Sequence, residues 1–177
     1  SYLGGLGPES PHSLVMNRDH ELLILGTTGS SDFPTTQNAF DRTYNGGFNE
    51  RNVIPYGSGS DLFVARISGD GKQLLSSSLF GGSGNDGLNP SSSPLVVNYG
   101  DQLRGDIISD SDNNIYISTV TSSVNFPVMN SFSLTYLGGT TDALVLKLNP
   151  DLSQILWGTF LGGNGADASH TIKFDLD

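Results

Sequence analysis

With 177 residues, the chain is long enough for a domain with a real hydrophobic core. Hydrophobic residues supply 36% of it and glycine 23 positions, a balance that suits short strands joined by turns better than helices. A net charge of −10 sets the surface against nucleic acid and anionic membranes, and the lack of cysteine excludes disulfides, thiolate nucleophiles and Cys-based zinc sites.

The chain opens on Ser1-Tyr2-Leu3-Gly4-Gly5, which is neither basic nor apolar enough for a signal peptide. The expectation is therefore a mature protein or an internal segment. No apolar run reaches the length of a membrane-spanning helix, so membrane insertion is not expected. Residues 14–16 and 21–25 predict a hairpin around Asn17-Arg18-Asp19-His20. Residues 62–67 and 73–80 predict another around Gly69-Asp70-Gly71, where Asp-Gly is a turn signal. The same order follows downstream: 106–109 with 114–119, then 143–148 with 154–160. Apolar and polar residues alternate in Ile115-Tyr116-Ile117-Ser118 and Leu144-Val145-Leu146-Lys147-Leu148. His170-Thr171-Ile172-Lys173-Phe174-Asp175 predicts the first strand of a third unit. No window reads as a helix, because Pro, Gly and β-branched residues recur too often.

The repeat is visible at three places. Ser1-Tyr2-Leu3-Gly4-Gly5 returns as Ser78-Leu79-Phe80-Gly81-Gly82 and as Thr159-Phe160-Leu161-Gly162-Gly163. Leu22 to Pro34 aligns with Ile115 to Pro127, both ending in Phe-Pro. Asp61-Leu62-Phe63-Val64-Ala65-Arg66-Ile67 aligns with Asp142-Ala143-Leu144-Val145-Leu146-Lys147-Leu148. Four strands per repeat predict an all-β fold, a β-propeller of four-stranded antiparallel blades. The expected boundaries are 1–5 for the end of a preceding blade, 6–82 and 83–163 for two complete blades, and 164–177 for the start of a third.

Phe-Pro after a Thr/Ser-rich strand, then Asp-x-[Phe/Leu]-Val-[Ala/Leu]-[Arg/Lys]-[Ile/Leu], then [Leu/Phe]-Gly-Gly, resembles the bacterial β-propeller repeat family called SBBP. The likeness spans nearly the whole chain, with residues 48–59 and 88–105 standing out as insertions. The resemblance implies a large secreted or cell-surface protein. In Bacteroidetes such proteins include type IX secretion cargo serving adhesion or gliding motility.

In a meandering blade both tight hairpin turns lie on one face of the disc. The turns at Asp19, Asp70, Asp112 and Asp151 would occupy it, and the long segments 5–13, 33–60, 82–104, 125–141 and 163–169 would occupy the other. Loop insertions gathered on one face commonly mark the binding side. The candidate contact residues there are Tyr44, Phe48, Arg51, Tyr56, Asp86, Asn89, Tyr99 and Asp101, set against the reading that they fold back as caps.

Other motifs carry less. Gly82-Ser83-Gly84-Asn85-Asp86-Gly87 fits G-x-G-x-x-G, but Asn89-Pro90 and Pro94 deny it the helix that a dinucleotide site needs. Asp110-Ser111-Asp112-Asn113-Asn114 begins like a calcium loop, yet Ile115 and Thr121 stand at its glycine and acidic positions. Asx-turn chemistry accounts for that segment, so no cofactor is expected, calcium being the one ion left open. His12 and His170 approach equivalent first strands without a zinc-site spacing. Asp61 and Asp142 recur in the manner of carboxylates accepting backbone N–H bonds, and Trp157 reads as a packed aromatic.

With no Ser-His-Asp set or arginine cluster, a non-catalytic binding or scaffold segment is expected, with a protein or glycan on the loop face. The alternative is a glycan-active hydrolase or lyase on the same face. Two blades cannot close a disc, so flanking blades or an assembly partner are expected at the open edges.

Overall fold

Four side-chain-capped turns set the hairpins. Asn17 Oδ1 accepts from Asp19 N–H (3.1 Å) and Glu21 N–H (2.8 Å), and the backbone closes from Asn17 N–H to Glu21 O at 2.9 Å. Asp110 does the same with Asp112 N–H (3.0 Å) and Asn114 N–H (2.8 Å). Ser68 and Asn149 hold the other two turns, receiving Gln73 N–H and Gln154 N–H, both at 3.0 Å. Each turn needs one left-handed residue: His20, Gly71, Asn113 and Leu152 take it, with φ between 58° and 71°.

In the computed structural model, residues 2–51 and 54–175 are described. Ser1, Asn52, Val53, Leu176 and Asp177 lie outside them, and so do the outer ends of the expected flanking units. The strands are β1 (Glu9–Met16), β2 (Leu22–Thr28), β3 (Glu50–Arg51), β4 (Pro55–Tyr56), β5 (Asp61–Ile67), β6 (Leu74–Phe80), β7 (Asp106–Ser109), β8 (Ile115–Thr121), β9 (Asp142–Leu148) and β10 (Ile155–Leu161). They form two four-stranded sheets, β1-β2-β5-β6 and β7-β8-β9-β10, with every neighbouring pair antiparallel. The short pair β3–β4 and a single 3-10 turn at Tyr99–Asp101 lie in the two insertions; no sequence signal announced either. β1 begins at Glu9, earlier than the pattern suggested, because Pro11 is absorbed in a bulge between Pro11 and Ser13.

The two sheets share one core. Leu23, Leu25, Leu62, Val64 and Phe80 from the first sheet join Ile117, Leu144, Leu146, Leu148 and Phe160 from the second in a continuous buried cluster. Cross-strand register puts Leu25 opposite Val64 and Leu62 opposite Phe80, so the first set lies on one side of its sheet. Ile117 pairs with Leu146 and Phe160 with Leu144, so the second set does likewise. In the repeat, however, Leu144 and Phe160 align with Phe63 and Leu79, which lie on the opposite side of the first sheet. The front of one sheet therefore packs on the back of the next. Each fully buried aliphatic side chain contributes about 1.5–3 kcal/mol, so this core outweighs any surface ion pair.

The back of the first sheet carries its own cluster of Phe33, Phe63 and Leu79, with Phe33 stacked on Phe63 at 4.5 Å between ring centres. Beside it runs a shallow apolar groove of about 360 Å³ lined by Leu3, Ile24, Pro34, Ile67 and Leu74. The long connections seal the outer edges. Thr36 N–H reaches Ser77 O at 3.0 Å and Leu79 N–H reaches Asp41 O at 3.0 Å along β6. Gly158 N–H reaches Met129 O at 2.9 Å along β10. A covered edge cannot recruit a foreign strand.

The sheets also meet at their first strands, where β1 lies beside β7 and Ser13 Oγ donates to Asp106 Oδ1 at 2.8 Å. Residues 170–175 hold no strand. Thr171 Oγ1 (3.0 Å), Ile172 N–H (3.3 Å) and Lys173 Nζ (3.2 Å) instead converge on Asp106 Oδ2. Among the described residues the two sheets do not close a ring.

Candidate functional site

The tight turns of the two sheets gather at one end. His20 O stands where a β-carbon on Gly69 would go, Asn113 Nδ2 donates to Asp19 Oδ2 at 2.7 Å, and Arg66 donates to Pro150 O at 2.9 Å. At the other end the insertion carrying β3 and β4 rests on the crossing segment between the sheets. Asp86 N–H bonds Ser60 O at 2.9 Å and Ser60 Oγ returns to Asp86 O at 3.1 Å. Phe48 N–H reaches Asn85 Oδ1 and Ser91 N–H reaches Glu50 Oε1, both at 3.0 Å.

The eight candidate contact residues divide on this surface. Phe48 (68% exposed), Tyr99 (81% exposed) and Arg51 stand in solvent. Tyr44 is half-buried, its hydroxyl donating to Gly59 O at 2.6 Å; burial, then the nearby Asp61, push it up to about 12. The other four point inward and correct the expectation of a contact role. Tyr56 is fully buried, its ring against Gly29, and burial pushes it up to about 12. Asn89 is buried and donates to Asp101 O at 2.9 Å. Asp101 caps the 3-10 turn, accepting from Asn98 N–H at 2.7 Å and pairing with Arg104, and these bonds hold its carboxyl below the ordinary range. Asp86 is wholly buried between the sheets.

Asp86 marks a feature that the alignment of Gly-Gly pairs only half disclosed. Thr121 and Ser123 hydroxyls and Gly82 N–H (2.9 Å) all donate to its carboxylate, the Ser123 bond also at 2.9 Å. In the first unit, Thr28 (3.0 Å) and Ser30 hydroxyls donate in the same way to Glu9. In the last, Gly163 N–H donates to Asp167 at 2.8 Å. The signal was readable as Gly-Gly-x-Gly-x-[Asp/Glu], at Gly4 to Glu9, Gly81 to Asp86 and Gly162 to Asp167. Asp61 completes the middle junction: its carboxylate accepts from Asn45 N–H (2.7 Å) and Gly46 N–H (3.1 Å), the backbone role its recurrence suggested. Burial pushes Asp61 up to about 7 and Asp86 up to about 8.

The remaining polar candidates have local partners. Thr27 Oγ1 gives its one proton to Gly87 O at 3.1 Å, so His12 Nε2–H donates to Thr27 at 2.9 Å. Burial lowers His12 to about 4. Asp110, at the head of the calcium-like segment, accepts from Asn114 Nδ2 (2.9 Å) and Tyr116 (3.1 Å) besides its turn amides, and pairs with Lys147 at 3.6 Å. Trp157 packs edge-on to Tyr116 at 6.2 Å. Arg66 pairs with Glu21 at 3.4 Å while Arg104 pairs with Asp101, so these arginines serve separate sites. No group of three or more His, Asp or Glu side chains suited to a metal occurs among the described residues.

No family model matches the chain, and no curated protein is found to be similar to it.

Proposed function

We propose that the chain is a segment of a β-propeller of the SBBP type, acting as a binding or scaffold module of a secreted or cell-surface protein. The observation that carries this reading is the front-to-back packing of two equivalent four-stranded sheets. Such packing is heterologous, so it propagates to further sheets of the same kind at both open faces. The free back of the first sheet, with Ile24 and Leu3, and the free front of the second, with Trp157 and Leu161, are where flanking blades dock.

The working surface in this reading is the insertion end. Phe48, Arg51 and Tyr99 supply two aromatic anchors and a guanidinium, held by insertions that the Ser91–Glu50 and Phe48–Asn85 bonds join. The candidates that turned inward, Tyr56, Asp86, Asn89 and Asp101, stiffen the platform beneath those anchors. Stiffening lowers the ordering cost of binding. A protein or a glycan is the class of partner that such a rim fits.

Retention and turnover on immobilised glycans and cell-surface proteins test the reading. Binding without product, lost in a Phe48→Ala/Tyr99→Ala double variant, supports it. Product formation would favour the glycan-active enzyme, and retention unchanged in the double variant would remove the insertion end as the binding surface.

A further inference from the structure

Asp61 and Asp86 face each other across Gly81: a β-carbon built there would lie 2.5 Å from Asp61 Oδ1 and 3.0 Å from Asp86 Oδ2. Asp61 belongs to the first sheet, while Asp86 is tied by Thr121 and Ser123 to the second. Both carboxyls are wholly buried. Two ionised carboxylates buried this close repel each other, and a proton or a cation between them relieves that repulsion.

The charged neighbours supply no compensation. The connection between β2 and β5 brings Asp41 and Tyr44 toward Asp61, and β1 brings His12, held neutral by burial, near Gly87. None of the Lys and Arg ion pairs among the described residues involves Asp61 or Asp86.

The donor set discriminates between proton and metal. A calcium ion needs about six to eight oxygen ligands. Here three backbone N–H groups, from Asn45, Gly46 and Gly82, and two hydroxyls already occupy most of the roughly eight carboxylate lone-pair sites, which leaves room for a proton but not for a shell of that size. Convergent fixed donors repel a cation.

A related pair of carboxyls lies at the far end of the second sheet, with Asp142 buried and Asp167 half-buried. Asp142 Oδ1 and Asp167 Oδ2 lie 2.5 and 2.9 Å from the corresponding point on Gly162. Asp142 Oδ1 is buried without a bond of hydrogen-bond geometry, although Gly138 N–H leans toward that carboxyl.

We propose that the Asp61–Asp86 pair is a protonation-controlled joint, closed while the pair holds a proton and loosened when both carboxyls ionise. The direction follows from linkage. The native pair binds protons that the unfolded chain releases near pH 4, so stability falls as pH rises from there through about 7 and about 8, and then levels. His12 acts oppositely and below pH 6.5, outside the upper half of that interval.

The test is the thermal midpoint of the 177-residue chain at pH 6.5 and pH 9, with and without millimolar Ca²⁺, for the wild type and Asp86→Asn. The expected wild-type fall is about 5 °C or more. Asp86→Asn removes one of the two titrating carboxyls, so the fall shrinks to about half or less. A flat wild-type profile, or an equal fall in the variant, overturns the joint. A Ca²⁺-dependent rise at pH 9 that the variant loses also overturns it, in favour of a cation. Asp61→Asn gives the same reading should Asp86→Asn not fold, and if neither folds the wild-type profile with and without Ca²⁺ decides. None of these outcomes bears on binding by Phe48 and Tyr99.

Discussion

Glu9 occupies in the first unit the place that Asp86 occupies in the second. Each receives the hydroxyls of a Thr-x-Ser pair at the end of the unit's second strand, Thr28 and Ser30 for Glu9, Thr121 and Ser123 for Asp86. The acid thus ties the entry of a unit to the end of its second strand.

Removing the tie has a definite cost. In Thr121→Val, Asp86 loses a donor in a buried site, and the chain is destabilised by about 1–3 kcal/mol. Urea unfolding of the variant measures this as a lower midpoint.

Gly81 is required for its small size. Gly81→Ala drives a methyl into both junction carboxyls, the nearer oxygen at 2.5 Å, and forces them apart. A loss of about 1–3 kcal/mol is expected. Gly71→Ala tests a different requirement, because its φ of 71° strains any side chain while the space around it is open. Its cost is about 1 kcal/mol, read by the same unfolding curves.

How much of this was legible follows from what each signal reports. The eight main strands announced themselves by alternation and by the Asx turns at Asn17 and Asp110, because both are local. The pairing of Asp61 with Asp86 is not local, and nothing in either segment says that the two carboxyls meet. Tyr56, Asn89 and Asp101 resembled contact residues because polar or aromatic loop positions look alike in sequence whether they turn in or out. Their orientation depends on β3–β4 and the Tyr99–Asp101 turn, elements too short to leave a periodicity.

His12 opposes the junction carboxyls on the acid side of the stability profile. Its folded value near 4 lies below the ordinary 6.5, so the stability it contributes is present above pH 6.5 and is lost as pH falls toward 4. In His12→Gln that opposing contribution is absent, so the thermal midpoint at pH 4.5, relative to pH 7, lies higher than in the wild type.

Phe40 reports on how the long connection is anchored. Its ring stacks on Phe80 at 5.5 Å and its N–H bonds Leu152 O at 2.8 Å, joining the first sheet to the last hairpin turn. Phe40→Ala therefore costs about 1–3 kcal/mol, less than a fully buried phenylalanine. Phe48→Ala changes stability by under about 0.5 kcal/mol, because the side chain stands in solvent.

The most direct test of the stacked-sheet account is a methyl and aromatic NOE map of the labelled chain. Front-to-back packing predicts contacts from Leu25, Leu62 and Val64 to Ile117, Leu144 and Leu146, with Phe63 meeting Phe33 instead. Contacts from Phe63 or Leu79 to the second sheet, with Leu25 and Val64 seeing only their own, would contradict the packing and the propeller reading that rests on it.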